Sequence, residues 1–365
     1  MLRKIFFAAG GTGGHIYPAI AVADEIRKIY PDTQIVFIGA KGRIEENIVP
    51  PAGYELITLD VEGFERKLNL KNIKILFKAV KSLKKAEQIL NEHRPEVVFG
   101  TGGFASGPVI RAAQQQKIRT VLMEGNYYPG FTTRLLASRA DMVILNFRES
   151  EKYLKRKDNI VFIGYPFRKS LKRIPRTEAV SYFGLSENKK TLLVTGGSQG
   201  ARAVNSTVLE NYTNLIDNGI QIIWQTGNPD FEKINSHVTN PYIRVFRYLE
   251  KIDIAYSACD LSLSRAGIST ISELAFLGVP SVLVPFPRSS ADHQKRNAEL
   301  LVKNDAAIMC EEKDLDNFLK NKITAIIHDE QILEKLSSNI TTYADTDAAR
   351  KIAALLENFK DKSVI

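Results

Sequence analysis

Short apolar runs alternate along the chain with longer stretches in which apolar residues recur at helical spacing. Lys4 to Ala8, Gln34 to Ile38, Glu96 to Phe99 and Thr120 to Met123 read as buried strands, and Ile20 to Ile29 reads as an amphipathic helix. Repeated βα alternation predicts a parallel sheet covered on both faces, with ligands held at the carboxyl ends of the strands. The pattern restarts at Thr191-Leu192-Leu193-Val194, which runs into Thr195-Gly196-Gly197-Ser198-Gln199-Gly200 and a helical stretch from Ala201. This echoes Ala8 to Gly14, so two similar α/β domains are expected, and 365 residues are enough for two hydrophobic cores. The flexible and rigid residues of Gly164-Tyr165-Pro166-Phe167 place the linker. The expected division is residues 1–163, residues 164–345, and a terminal segment, 346–365, whose amphipathic stretch Ala348 to Phe359 could pack on either domain.

Composition narrows the class. With 44% hydrophobic and 25% charged residues the chain should fold throughout. The apolar run after Arg3 breaks into glycines too soon for a secretion signal, and no stretch approaches the roughly 20 apolar residues that span a bilayer, so a soluble or peripheral protein is expected. Cys259 and Cys310 lie far apart without CxxC spacing, which suggests neither a disulfide framework nor a zinc site and fits a reducing cytoplasm. The five histidines, His15, His93, His237, His293 and His328, also lack ligand spacing, so no metal or other cofactor is expected. Asp345-Thr346-Asp347 has an Asp-x-Asp pattern but lies outside any strand-end crevice, where a solvated turn is the expectation.

A formal charge of +9 admits nucleic acid, anionic lipid and diphosphates as partners. From Arg66 to Arg94, Lys67, Lys71, Lys74, Lys78, Lys81, Lys84 and Lys85 outnumber Glu87 and Glu92, with Ile73, Ile75, Leu76, Phe77, Val80 and Leu83 between them. A basic amphipathic helix of this kind suits an anionic membrane surface, although a solvated helix face is the usual fate of a lysine series. No RRM or KH signature supports nucleic acid.

Candidate chemistry lies in the glycine-rich segments. Gly10-Gly11-Thr12-Gly13-Gly14-His15 follows the first strand, but the dinucleotide spacing would put Ile16 at its last glycine position, and Gly39-Ala40-Lys41 supplies no acidic residue after the second strand. No Walker A sequence occurs either. His15 sits between a ligand-binding loop and a helix start, where an imidazole can move a proton near neutral pH or simply bond to backbone. Gly100 to Pro108 holds more glycine than a tight turn needs, and Glu124 and Asn126 follow the next strand. Gly196 to Gly200 offers backbone donors and the Ser198 hydroxyl to a phosphate. Thr270 and Glu273 have capping-box spacing, so Glu273 either closes a helix start or accepts both hydroxyls of a ribose.

Taken in order, GGTGGHIYPA at 10–19, GGFASGP at 102–108, GGSQGAR at 196–202 and SRAGISTISELAFLGVPSVLVPFP with DHQ beyond it resemble the MurG family of peptidoglycan N-acetylglucosaminyltransferases over nearly the whole chain. The resemblance implies a GT-B fold, two Rossmann-like domains with parallel sheets facing a central cleft. It implies acceptor binding by the N-terminal domain, donor binding mainly by the C-terminal one, return of the last helix to the N-terminal domain, and no metal in the catalytic centre. The implied reaction inverts the anomeric carbon as GlcNAc moves from UDP-GlcNAc to the C4 hydroxyl of MurNAc in undecaprenyl-diphospho-MurNAc-pentapeptide. The setting would be the cytoplasmic face of the inner membrane. Motif by motif, Thr12, Gly13 and Gly14 would line the cleft and Asn126 would reach the donor sugar. Arg168 and Ser198 would approach the diphosphate, and Leu249 would meet the uracil through its backbone. Ile268, Ser269 and Thr270 would surround the nucleotide, Glu273 would hold the ribose and Gln294 the GlcNAc hydroxyls. His15 is the candidate base, with Glu124 in reserve. The chain departs from the family at Gly125, commonly Gln, and Thr133, commonly Asn. Alternatives are a related glycolipid glycosyltransferase, a UDP-GlcNAc epimerase, or a nucleotide-sugar-binding subunit without catalysis.

Overall fold

A computed structural model describes residues 2–61, 70–167 and 171–358, without the side chains of 70–79 and 358. The chain forms two compact units, Met1–Arg168 with Asp345–Ile365, and Lys169–Ala344.

Unit 1 runs β1 (Lys4–Ala9), α1 (Gly13–Ile29), β2 (Gln34–Ala40), α2 (Glu45–Ile48), β3 (Glu55–Leu59), α3 (Leu70–His93), β4 (Val97–Gly102), α4 (Ser106–Gln115), β5 (Arg119–Glu124), α5 (Phe131–Leu136), β6 (Met142–Leu145) and β7 (Ile160–Phe162). Among the described residues these strands form one sheet in the order β3-β2-β1-β4-β5-β6-β7, every pairing parallel. The period of two along β1 sends Phe6 and Ala8 into a cluster with Val36, Ile38 and Val98. Phe7, on the other face, meets Phe37 and Phe99 at ring-centroid distances of 5.1 and 5.4 Å. All three rings are buried, each worth roughly 1.5 to 3 kcal/mol by transfer from water.

Unit 2 runs α6 (Arg176–Tyr182), β8 (Lys190–Thr195), α7 (Arg202–Asp217), β9 (Ile220–Gln225), α8 (Phe231–His237), β10 (Ile243–Phe246), α9 (Ile252–Ala258), β11 (Leu261–Ser264), α10 (Ile268–Leu277), β12 (Ser281–Leu283), α11 (His293–Lys303), β13 (Ile308–Met309), α12 (Leu315–Asn321), α13 (Ile323–His328) and α14 (Glu330–Thr341). Its sheet is again parallel, in the order β10-β9-β8-β11-β12-β13. Trp224 fills its core without exposure and keeps its indole N–H satisfied by Asn205 Oδ1 at 3.0 Å. Helix α15 (Ala348–Asn358) then packs on α1, within unit 1.

Two sequence expectations change here. Helix α1 begins at Gly13, seven residues before the apolar periodicity shows it, and carries Pro18 inside. Pro18 has no N–H for the Gly14 carbonyl, and the Tyr165 hydroxyl donates to that carbonyl instead. The same bond explains why the segment expected as linker belongs to unit 1. Gly164 N–H donates to Asp345 Oδ2 at 3.3 Å, and Asp345 Oδ1 accepts from Asp347 N–H at 3.2 Å and Lys351 at 2.7 Å. Asp345-Thr346-Asp347 is a turn with Thr346 exposed, as expected, and its Asp345 also tethers the returning chain.

Candidate functional site

Each sheet has a switch point, β1 beside β4 in unit 1 and β8 beside β11 in unit 2, where chain connections leave in opposite directions and the strand ends open a crevice. The four glycine-bearing motifs lie at these places.

In unit 1 the pairing of β1 with β4 slips: Ala8 faces Gly100 but Ala9 faces Gly102. Thr101 is the extra residue, a bulge at the sheet rim that releases its backbone from the ladder. Its carbonyl accepts from His15 Nδ1 at 2.8 Å, and its hydroxyl donates to the His15 carbonyl at 2.6 Å. Because a carbonyl only accepts, Nδ1 carries the proton, and Nε2 holds the lone pair of the neutral ring. Glycine at 102, with φ 99°, is required beside this ring, since a Cβ there would stand 2.8 Å from Cε1. Gly103, with φ 84°, has no room either, because a Cβ would overlap the Gly10 carbonyl. Thr12 stands exposed at the start of α1 and its carbonyl accepts from His15 N–H at 3.1 Å, with half-buried Gly13 and Gly14 beginning the helix.

The structure gives Glu124, the base held in reserve, a structural job. Oε1 accepts from Asn126 N–H at 3.0 Å and Asn126 Nδ2 at 3.2 Å, while Oε2 accepts from Gly130 N–H at 2.7 Å and the Thr133 hydroxyl at 2.9 Å. With four donors on its two oxygens, this buried carboxylate shapes the 126–133 loop and turns the Asn126 amide. Thr133, one of the two departures from the family pattern, is buried and is a donor to that carboxylate. At the other departure, the Gly125 carbonyl accepts from Asn146 Nδ2 at 3.1 Å.

In unit 2 the loop after β8 exposes Ser198 between Gly197 and Gly200, at φ 82° and 74°. Gln225 at the end of β9 fixes this loop. Its Nε2 donates to the Gly197 carbonyl at 3.0 Å, and its Oε1 accepts from Leu249 N–H at 2.8 Å. Helix α10 starts directly after β11 with Gly267 as its first flanking residue and no side-chain cap, so the N–H groups of Ile268, Ser269 and Thr270 form its positive end. Thr270 is inside the helix, which removes the capping-box alternative for Glu273. Glu273 is half-buried one turn in, and Oε2 accepts from the Tyr256 hydroxyl at 3.2 Å. Gln294 is the second residue of α11, with Oε1 on Phe286 N–H at 2.9 Å, and the helix is entered through Ala291 and Asp292, two successive non-glycine residues at φ 50° and 54°. Arg168 lies outside the described residues.

Sequence reading gave no role to Thr101, Gln225 and Tyr256 and took Tyr165 only as part of the linker, and the partners of all four are distant in the chain. Neither thiol suits a nucleophile: burial raises Cys259 strongly and pushes Cys310 up to about 11, so both stay protonated near neutral pH. Among the described residues no group of three or more His, Cys, Asp or Glu side chains could hold a metal ion.

Residues 5–145 match the glycosyltransferase family 28 N-terminal domain and residues 191–353 the family 28 C-terminal domain. A UDP-N-acetylglucosamine–N-acetylmuramyl-(pentapeptide) pyrophosphoryl-undecaprenol N-acetylglucosamine transferase of Parabacteroides distasonis is 39% identical, covering 98% of this chain and 99% of its own. The enzyme of that name from Caldanaerobacter subterraneus is 37% identical over 97% and 99%. Among solved structures, Acinetobacter baumannii MurG has a TM-score of 0.77 at 24% identity, covering 98% of this chain and 99% of that one. The calicheamicin glycosyltransferase CalG4 has 0.72 at 14%, covering 100% of both chains, so the shared architecture is the GT-B fold. The two domain matches and the near-complete relatives together mean that the chain belongs to glycosyltransferase family 28, and within it to the MurG family.

Proposed function

We propose that this enzyme transfers GlcNAc from UDP-GlcNAc to the C4 hydroxyl of MurNAc in undecaprenyl-diphospho-MurNAc-pentapeptide, inverting the anomeric carbon. The observation that carries the chemistry is the His15 ring, held by the bulged Thr101 carbonyl at 2.8 Å in the tautomer whose Nε2 can take a proton. As the acceptor oxygen forms its bond to the anomeric carbon and the bond to UDP breaks, the hydroxyl proton passes to Nε2. Negative charge grows on the departing diphosphate, for which Arg168, the Ser198 loop and the positive end of α10 are the partners. Glu273, oriented by Tyr256, takes the ribose hydroxyls. The Leu249 N–H is committed to Gln225, so its carbonyl is the backbone group for the uracil. The Gln294 oxygen is committed to Phe286, so its NH2 addresses the sugar hydroxyls. Asn126, oriented by Glu124, reaches the same sugar, and Thr12, Gly13 and Gly14 border the acceptor.

The reading places the enzyme peripherally on the cytoplasmic face of the inner membrane. Lys81, Lys84 and Lys85 are exposed on α3 while Ala86, Ile89 and Leu90 are buried, and among the described residues no helix is long and apolar enough to cross a membrane.

The test offers a panel of UDP-sugars with a MurNAc-diphospholipid to purified protein and identifies products by mass spectrometry. The expected product gains one N-acetylhexosamine from UDP-GlcNAc, with release of UDP. Conversion of UDP-GlcNAc without acceptor would favour an epimerase, and binding without conversion a non-catalytic subunit.

A further inference from the structure

Glu45 is a buried carboxylate with no part in the chemistry above. Its Oε1 accepts from Ala40 N–H at 2.7 Å and Gly11 N–H at 3.3 Å, and its Oε2 from Gly11 N–H at 3.2 Å. These donors close β2 and open the loop after β1, where adjacent strand ends of a doubly wound sheet offer backbone N–H groups to an anionic ligand. Here the anion belongs to the protein. Space has been left for it: a Cβ at Gly10 would stand 2.5 Å from Oε1, and one at Gly39 would stand 2.6 Å from Cγ. Neither glycine has positive φ, so it is room for the carboxylate, not backbone conformation, that excludes a side chain. The packing continues without a gap. The Gly10 carbonyl leaves no room for a Cβ at Gly103, and the neighbouring Gly102 lies against the His15 ring.

We propose that Glu45 is a positioning residue, a built-in anion that occupies the donor-rich ends of β1 and β2 and so holds the glycine loop in the geometry that aims His15. The proposal rests on the reading of His15 as the proton acceptor. The side-chain oxygens join two backbone donors just beyond the last residues paired between β1 and β2, and the loop they fix leads straight into α1. Such support acts on turnover, because a small misplacement of a reacting group costs rate before it costs binding.

The experiment uses the full chain with Glu45→Ala, Glu45→Gln, Gly39→Ala and His15→Ala. It measures kcat, the KM for acceptor, UDP affinity by calorimetry and melting temperature, with and without added formate. Glu45→Ala is expected to lose about tenfold or more in kcat with UDP affinity within about twofold of wild type. Formate, a carboxylate small enough for the space vacated, is expected to restore turnover saturably in this variant alone. Glu45→Gln keeps the volume but turns an N–H2 towards one of the two backbone donors, so it stays impaired and unrescued. Wild-type kcat in Glu45→Gln overturns the proposal, as does a formate-insensitive loss in Glu45→Ala that tracks melting temperature. If Glu45→Ala does not fold, Gly39→Ala decides: reduced kcat with unchanged UDP affinity supports positioning, and wild-type kcat overturns it. Formate rescue of Glu45→Ala alongside active His15→Ala would uphold Glu45 as the loop's anchor while removing His15 as the base.

Discussion

Whether His15 is a strut or a base is a question of magnitude. Its bond to the Thr101 carbonyl at 2.8 Å is worth about 1 kcal/mol to stability, and losing it shifts melting by roughly 2 to 4 °C in a unit of this size. Loss of a general base costs about 100- to 10,000-fold in rate. His15→Ala is therefore expected to melt a few degrees lower, to bind UDP as before and to lose at least about 100-fold in turnover; a fall under about tenfold would leave it a strut. Glu273 is tested through affinity. With the helix starting at Ile268, the carboxylate does not stand at a capping-box position, and Glu273→Ala should weaken UDP and UDP-GlcNAc equally by about 1.5 to 3 kcal/mol. Calorimetry showing unchanged UDP affinity would remove the ribose contact. At this scale the sequence was uneven. His15 and Glu273 stood inside recognisable motifs, whereas Glu45 did not, because its partners at Gly11 and Ala40 are backbone groups and leave no trace in residue identity. Gly10 and Gly39 read as loop glycines, although what they accommodate is a side chain.

Helices and strands were legible in their interiors and less so at their starts. The interiors announce themselves because burial repeats, as in Phe6 and Ala8 against Phe7 along β1. Starts depend on what caps them. Helix α1 reaches back to Gly13 because side chains from elsewhere, Tyr165 and Thr101, satisfy the carbonyls of Gly14 and His15. Helix α10 starts two residues before the capping-box residue Thr270, because it springs from β11 through Gly267. The start of α11 carries its own cost. Ala291 at φ 50° and Asp292 at φ 54° are left-handed in succession, and for alanine this costs roughly 1 to 2 kcal/mol. Ala291→Gly should raise the stability of the protein by up to about 1 kcal/mol in thermal or denaturant unfolding. If turnover falls at the same time, the strained entry is part of what aims Gln294. A melting temperature below wild type would show that no strain is held there.

For the molecule as a whole, charge and chain path matter more than any one contact. Replacing exposed Lys81, Lys84 and Lys85 with Glu should weaken binding to anionic vesicles by about 1 kcal/mol per residue, while turnover on a soluble short-chain acceptor stays near wild type. Binding that ignores both the substitutions and added salt would remove the electrostatic attraction. The charge was plain in the sequence. The path came from the family resemblance alone, because nothing in the amphipathic pattern of Ala348 to Asn358 says which unit it covers. Its packing on α1 makes unit 2 an insertion within unit 1. On the ribosome, every residue of Lys169–Ala344 emerges before α15 does. Unit 2 can thus complete its core while α1 still lacks the cover that α15 provides. The unit that carries His15 is the last to be sealed, so a ribosome that stalls before α15 releases a chain with unit 2 complete and unit 1 still lacking its last helix.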